Sequence, residues 1–309
     1  MRYKRFWGSQ LLTLILLILI LLTITACSSG TPDDESMTEK ETITTGAKSI
    51  DETMEETTAM TASPEEVVTI KDPELEKMIR LAIDKPEGDI TALDMEGVYS
   101  INIDYKEYPV REIDGLEYAI YLGDFSYRYG ELKSLDPIKD LQNITYMTIS
   151  YGTVDEAPAT FNTKMLSRIN FTETNVSDYS FLSQLTEVTS ATFIRNGISS
   201  IEFLKGWDKI ETLDLSTNEI KDVTPLEGKI NLTDLTLHQN QIEDISVFET
   251  LSSLVYLNIS YNNISNIAPI MQLPNLEELR AYEELDKKII DRGLLEALIA
   301  KGLTVDYHK

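Results

Sequence analysis

A single spacing governs most of this chain: between residues 101 and 276, the same apolar positions recur every 22 residues. Three successive rows, 211–232, 233–254 and 255–276, align without a gap. Their matching columns are Leu213, Leu235 and Leu257; Leu215, Leu237 and Ile259; Asn218, Asn240 and Asn262; Ile220, Ile242 and Ile264; and Val223, Ile245 and Ile267. One row is too short to bury its own apolar residues, so the rows must stack and share one continuous core.

The order of residues within each row resembles the leucine-rich-repeat pattern. Two apolar residues are separated by one position, an asparagine follows three positions later, and another apolar residue two positions after that. The resemblance predicts an α/β solenoid, a right-handed arc or horseshoe whose short strands form a parallel concave sheet. A 22-residue period favours 3₁₀-type return limbs over α-helices. Pro137, Pro225 and Pro269 share a limb column, where proline pre-sets a helical turn.

The columns extend backwards and forwards to give about eight coils between residues 101 and 276, and a ninth strand at Leu279. Ile101 and Ile103 form the first strand pair, which requires a two-residue insertion before Val110.

The asparagine column is complete only in the later coils, at Asn196, Asn218, Asn240 and Asn262, which we predict to form a structural ladder. A buried asparagine amide can both donate to and accept from backbone groups at the turn after the strand. Earlier rows carry Thr174, Gly152 and Gly130 instead. Threonine can replace part of this bonding and glycine none, so we expect the first coils, over residues 105–165, to be less regular.

Both ends of the stack carry helical signals. Asp72 and Pro73 form a helix start, and the segment from residue 72 to 104 resembles the N-terminal cap of the internalin family of bacterial leucine-rich-repeat proteins. The return limbs around Pro225 and Pro269 are also similar to those of internalins. The resemblance implies a helical N-terminal cap over residues 65–100. We predict a last strand, a closing helix and a final strand over residues 277–309, which form the C-terminal cap.

The N-terminus carries an export signal. Residues 1–26 combine a basic start with a Leu- and Ile-rich run that is shorter than the roughly 20 residues of a membrane span. Ile24-Thr25-Ala26-Cys27 resembles the lipobox of bacterial lipoproteins. The resemblance implies cleavage between Ala26 and Cys27, lipidation of the Cys27 thiol with a diacylglyceryl group, and a lipid-anchored location on the extracytoplasmic face of a bacterial membrane. Residues 27–64 are rich in Thr, Ser and Glu, and we predict a disordered acidic linker.

Charge and residue usage exclude several classes of function. The chain has 52 acidic and 27 basic residues and a net charge of −25, which disfavours nucleic acid as a partner. The single cysteine excludes an internal disulfide, and the two histidines leave little material for metal or acid–base chemistry. We therefore expect no cofactor, no metal, no catalytic residue and a monomer.

Side chains that point out of the strands line the concave face and are the candidate binding residues. Arginine and tyrosine are enriched at binding hot spots, and Ile194 is expected to be an exposed apolar side chain. The candidates are Arg128, Tyr146, Arg168, Ile194, Asp214, Asp234, His238, Tyr256, Arg280 and Tyr282.

These features predict a non-enzymatic surface lipoprotein that recognises a protein partner through its concave face. The internalin resemblance implies adhesion or host contact as one role. Two alternatives remain open. The Ser-, Thr- and Tyr-rich face would suit an envelope glycan, with Tyr256 or Tyr282 in contact. His238, with Ser216, Ser260, Asp214 and Asp234 near it, would suit an envelope hydrolase, although a flat sheet offers no oxyanion hole.

Overall fold

The computed structural model describes residues 63–176, 178–282 and 290–307 of the 309-residue chain. Within them, a ten-stranded sheet of parallel strands runs the length of the stack, and its strands follow one another in chain order. Its strands are Ser100–Asp104 (β1), Asp124–Arg128 (β2), Tyr146–Ser150 (β4), Arg168–Thr172 (β6), Ser190–Ile194 (β7), Thr212–Asp214 (β8), Asp234–Thr236 (β9), Tyr256–Asn258 (β10), Glu278–Arg280 (β11) and Thr304–Asp306 (β12). The open parallel sheet confirms the predicted solenoid.

The register of this sheet follows the repeat. Asp124 pairs with Tyr146. From β2 to β11, each paired residue lies 22 positions before its partner in the next strand of the sheet. Ser100 of β1 pairs with Asp124, which confirms the predicted two-residue insertion in the first coil. Because strand side chains alternate, the apolar columns all point to one side and form a continuous buried core.

The return limbs are short 3₁₀ helices, as predicted. They span Leu116–Tyr118, Asp136–Ile138, Ser180–Leu182, Glu202–Leu204, Thr224–Leu226, Ser246–Thr250 and Ala268–Gln272. Pro137, Pro225 and Pro269 each lie in the first turn of their helix, where the missing N–H costs nothing. In the middle coils the core is aromatic. Phe171 stacks on Phe193 with ring centroids 5.8 Å apart, and the fully buried Trp207 donates to the carbonyl of Leu182.

In the first coils the expected irregularity is found in the return limbs and not in the concave sheet, and the limb between Glu156 and Arg168 has no 3₁₀ helix. Their concave strands are five residues long and keep the 22-residue register, so the sheet there is continuous. Their limbs differ from the later ones, because Glu131–Ser134 (β3) and Thr153–Glu156 (β5) pair as a second, two-stranded parallel sheet. The glycines explain the difference. A Cβ on Gly152 would lie 2.6 Å from the carbonyl oxygen of Gly130, so the missing side chain lets successive coils bond directly through their backbones.

Helices cover both ends of the stack. Helix α1 (Pro73–Ala82) is capped by Asp72, whose Oδ1 accepts from the N–H of Glu74 at 2.9 Å. The other oxygen, Oδ2, accepts from the N–H of Arg111 at 2.8 Å, which ties the cap to the first coil.

Helix α2 (Ala92–Met95) is closed by a reciprocal capping box between Thr91 and Asp94. The Lys85 ammonium, 2.6 Å from Asp94, and the Thr91 N–H hold the pKa of Asp94 down to about 2.

At the C-terminal end, helix α3 (Arg292–Ala300) buries Leu295 and Leu298 against the stack, and β12 adds the last strand. Among the described residues, none of the helices is long and apolar enough to cross a membrane. The predicted signal, the lipobox and all but the last two residues of the predicted linker lie outside the described residues.

Candidate functional site

The concave face consists of the outward-pointing residues of the ten-stranded sheet, and all ten candidate residues lie on it or directly after it. Arg128, Arg168, Asp234 and Arg280 are exposed. The remaining candidates are half-buried: Tyr146, Ile194, Asp214, His238, Tyr256 and Tyr282. The expectation that Ile194 is an exposed apolar side chain is therefore wrong in degree. Neighbouring strands of a parallel sheet lie only about 4.8 Å apart, so the adjacent side chains cover part of it.

Two arginine–tyrosine pairs organise this face. The Arg168 guanidinium lies over the Tyr146 ring, 5.4 Å from its centroid, and Arg280 lies over Tyr256 at the same distance. Each pair joins neighbouring strands. Arg280 is also neutralised, because its Nε donates to Glu278 at 2.9 Å and lies 3.9 Å from Asp306. Such contacts hold long side chains in one arrangement before any ligand arrives.

The residues that suggested a hydrolase do not form a catalytic triad. The Ser216 hydroxyl donates to Asp214 at 2.5 Å, and the Ser260 hydroxyl accepts from the N–H of Tyr282 at 3.1 Å. Both serines are buried, and in the described part of the chain neither hydroxyl bonds to His238.

The His238 ring instead packs edge-on against Tyr261, with centroids 5.2 Å apart. Burial lowers the pKa of His238, and the Asp214 carboxylate opposes that shift.

The asparagine column lies at the turn after the strands and supports the concave face through side-chain hydrogen bonds. Nδ2 of Asn218 donates to the carbonyls of Phe193 in the preceding coil, at 2.6 Å, and Leu215 in its own coil, at 2.9 Å. Its Oδ1 accepts from the N–H of Ile198 at 3.1 Å. Asn196, Asn240 and Asn262 repeat the bond to the preceding coil. Each side chain thus joins two coils at the turn after the strand.

A second column, which sequence reasoning missed, lies one to three residues after strands β2, β4 and β6 to β10. Its residues have left-handed backbones with φ between 51° and 66°: Tyr129, Tyr151, Glu173, Arg195, Thr217, Gln239 and Tyr261. Their side chains pair between coils. The rings of Tyr129 and Tyr151 stack with centroids 5.3 Å apart, and Arg195 bonds to Glu173 at 2.8 Å. The turn imposes the conformation whatever the residue type, so only the position directly before the asparagine column could have indicated it.

At the other end of the strands, hydroxyl groups directly before β4, β6, β7 and β9 link neighbouring coils. Thr145, Ser167, Thr189 and Thr233 each donate to the carbonyl of the residue 22 positions earlier, over 3.1 to 3.4 Å. Side chains therefore link neighbouring coils both before and after the strands. Within the described ranges, no group of three or more His, Cys, Asp or Glu side chains is placed to hold a metal ion.

Comparisons with known proteins agree with this architecture. A profile of the leucine-rich-repeat family matches residues 230–281. The crystal structure of an internalin C2 from Listeria monocytogenes str. 4b F2365 is similar with a TM-score of 0.58 and 22% identity, over 80% of this chain and 100% of that one. An internalin from the same strain, internalin F, gives a TM-score of 0.39 and 17% identity, over 77% and 96% of the two chains. A search of curated proteins finds no match. The chain has an internalin-like leucine-rich-repeat fold.

Proposed function

We propose that this internalin-like leucine-rich-repeat chain recognises a protein partner through its concave face. The observation that carries the proposal is the pair of arginine–tyrosine contacts, Arg168 over Tyr146 and Arg280 over Tyr256. Arginine and tyrosine are, with tryptophan, the residue types enriched at the hot spots of protein interfaces. Here they lie on a sheet whose coils are linked by side-chain hydrogen bonds before and after the strands. The face therefore loses little conformational freedom when a partner binds.

The same contacts make a glycan a weaker candidate. A sugar ring that stacks on an aromatic side chain needs an open face of that ring. The Arg280 guanidinium already covers one face of Tyr256 and Arg168 covers one face of Tyr146. A protein partner can use the arginine and the tyrosine together, because a guanidinium that lies on a ring still presents its edge to an acceptor.

The location belongs to the same proposal and rests on sequence. The basic start, the apolar run and the small residues before Cys27, the only cysteine of the chain, support lipidation at that residue. Two acyl chains on one cysteine would anchor the protein stably, whereas one would not. The acidic linker over residues 27–64 would then hold the concave face away from an extracytoplasmic membrane surface. Adhesion or host contact is the role that the internalin likeness favours.

A capture experiment tests the proposal. Full-length protein in detergent is used to capture proteins from intact envelopes and from host cells, beside a Tyr146→Ala/Tyr256→Ala variant and a Glu227→Ala control on an exposed return limb. We expect a protein that is retained by the wild type and by the control and lost with the double variant. Circular dichroism verifies that all three fold. Equal retention by all three, or retention of polysaccharide alone, would refute recognition through this face.

A further inference from the structure

The six arginines between residues 63 and 282 fall into two groups. Four have a carboxylate partner within ion-pair distance, while Arg128 and Arg168 have none among the described residues. The paired ones are Arg80 with Glu76, Arg111 with Glu131, Arg195 with Glu173 and Arg280 with Glu278. In a chain with 52 acidic and 27 basic residues, two unneutralised guanidinium groups on one face are conspicuous.

These two arginines stand at opposite corners around Thr148. Across strands β2, β4 and β6, Ser126 pairs with Thr148 and Thr148 with Asn170. Arg128 lies two residues beyond Ser126, and Arg168 two residues before Asn170. Diagonal neighbours of this kind are roughly 8 Å apart at Cα, which is within the reach of an extended arginine side chain. Both side chains are therefore long enough to bring their guanidinium groups above Thr148; in the unbound protein that of Arg168 lies over the ring of Tyr146, two residues before Thr148. We call Arg128, Thr148 and Arg168 the arginine site.

The centre of this site has unused hydrogen-bonding capacity. Thr148 is only 6% exposed, and its Oγ1 has no hydrogen-bond partner. A buried hydroxyl without a partner is unfavourable, and an oxygen acceptor from a ligand would satisfy it. Next to it, Oδ1 of Asn170 accepts from Thr172 at 2.7 Å. The Nδ2 group of Asn170 has no partner in the described part of the chain and remains able to donate.

The acidic groups around the site limit what it can bind. Asp124 stands at a third corner and is exposed, and Asp104 is the strand partner of Arg128 without being within ion-pair distance. Together with the net charge of −25, they would repel a polyanion such as a sulfated glycan. A single carboxylate is compatible with these two acids, because it adds only one negative charge and can accept hydrogen bonds from both guanidinium groups at once.

From this placement we propose that the arginine site binds the carboxylate of an aspartate or glutamate side chain on the protein partner. The proposal rests on the proposed function and specifies it. Both guanidinium groups would donate to the carboxylate oxygens, and the Thr148 hydroxyl and the Asn170 amide would donate from below. Arginine suits this role because its planar donors match a carboxylate in a two-pronged geometry.

A selection with a displayed library of random peptides tests it on full-length protein. Peptides enriched by the wild type should carry an aspartate or glutamate at one fixed position. An Arg128→Gln/Arg168→Gln variant should bind those peptides at least about tenfold more weakly, since each lost charge-assisted hydrogen bond is worth that much. Arg195→Gln is the matched control, because Glu173 already neutralises that arginine and it lies in the turn after β7 rather than among the proposed contacts, so it should change affinity little. Thr148→Val should weaken the same peptides by a smaller factor while the fold is kept.

The outcomes separate the two proposals. One outcome is that the enriched peptides depend on Tyr256 but carry no fixed acid and bind the Arg128→Gln/Arg168→Gln variant as well as the wild type. That result refutes carboxylate recognition, while recognition through the concave face survives. If no peptide is enriched, or if heparin binds in place of peptides with the same dependence on Arg128 and Arg168, both proposals fail.

Discussion

The side chain of Asn240 shows what one residue does for the stack. Its Nδ2 donates to Leu215 in the preceding coil at 2.9 Å and to Leu237 in its own coil at 3.1 Å, and its Oδ1 accepts from the N–H of Ile220 at 3.1 Å. Without this amide, buried backbone groups in two coils would be unsatisfied. The asparagine column could be proposed from sequence because its spacing and its chemistry are both explicit there.

Replacement of Asn240 with alanine should therefore be costly. We expect Asn240→Ala to lower the free energy of unfolding by about 3 kcal/mol, as buried donors and acceptors lose their partners. Urea denaturation followed by circular dichroism measures it. Asn263→Ala is the control, because Asn263 bonds to Ile242 through its backbone N–H, which alanine keeps, and it should change the free energy by less than about 0.5 kcal/mol. Equal losses in the two variants would argue against the ladder.

His238 gives a residue-scale prediction in pH. Burial lowers its pKa in the folded state, so the unfolded chain binds the proton more readily. Stability contributed by neutral His238 is therefore complete above the unfolded value of about 6.5 and is lost as the pH falls below it. A His238→Gln variant should lose stability less steeply than the wild type between pH 7 and pH 5. Nuclear magnetic resonance should place the titration midpoint of His238 below that of an unfolded histidine, and a midpoint above it would contradict the burial argument.

At the scale of the coil, two kinds of turn join the strands to their limbs. The later coils bond through asparagine side chains, whereas Gly130 and Gly152 bring the backbones of the earlier coils together. The N–H of Thr153 donates to the carbonyl of Gly130 at 2.8 Å, and the Tyr127 hydroxyl donates to Val110 at 2.9 Å. The glycine turn is a different solution to the same bonding problem, and it leaves the concave sheet unbroken.

The glycine turn should tolerate no side chain at Gly130. A Cβ there would overlap the Tyr105 ring and the Tyr127 hydroxyl, and we expect Gly130→Ala to cost about 2 kcal/mol of unfolding free energy. In Gly123→Ala the nearest atom would be 3.7 Å away, an ordinary contact, so this control should be neutral or slightly stabilising. Thermal unfolding compares the two. If both variants melt like the wild type, close packing at the glycine turn is not what shapes these coils.

The sequence allowed the strands, the proline-started limbs and the helical caps to be predicted, because each follows from a periodic or local signal such as Pro225 or Asp72. It did not allow the glycine turn to be predicted, since that depends on how closely two coils approach. The left-handed column at Tyr129 and Tyr151 was also missed, because the turn dictates the backbone and the residue types vary. The arginine site depends on which side chains lack partners, and that information exists only once the strands are in register.

At the scale of the whole molecule, the proposed function includes a lipid anchor at Cys27 as well as recognition through the concave face. If Cys27 is lipidated, full-length protein made in bacteria should incorporate a labelled palmitate analogue, and Cys27→Ala should abolish the label and release the protein from membranes. Ser28→Ala, one residue further along, is the control and should retain the label. Label that persists in Cys27→Ala would contradict lipidation at this residue.

Site-specific photo-crosslinking on intact cells tests recognition through the concave face directly. A photoreactive amino acid is placed at Thr212 on the concave face and, in the same coil, at the exposed Glu227 on the return limb; a second pair uses Ser190 on the face and Glu202 on the limb. We expect Thr212 and Ser190 to crosslink to the same protein and Glu227 and Glu202 not to. Crosslinks that form equally from the return limbs, or from the limbs alone, would show that the concave face is not the recognition surface.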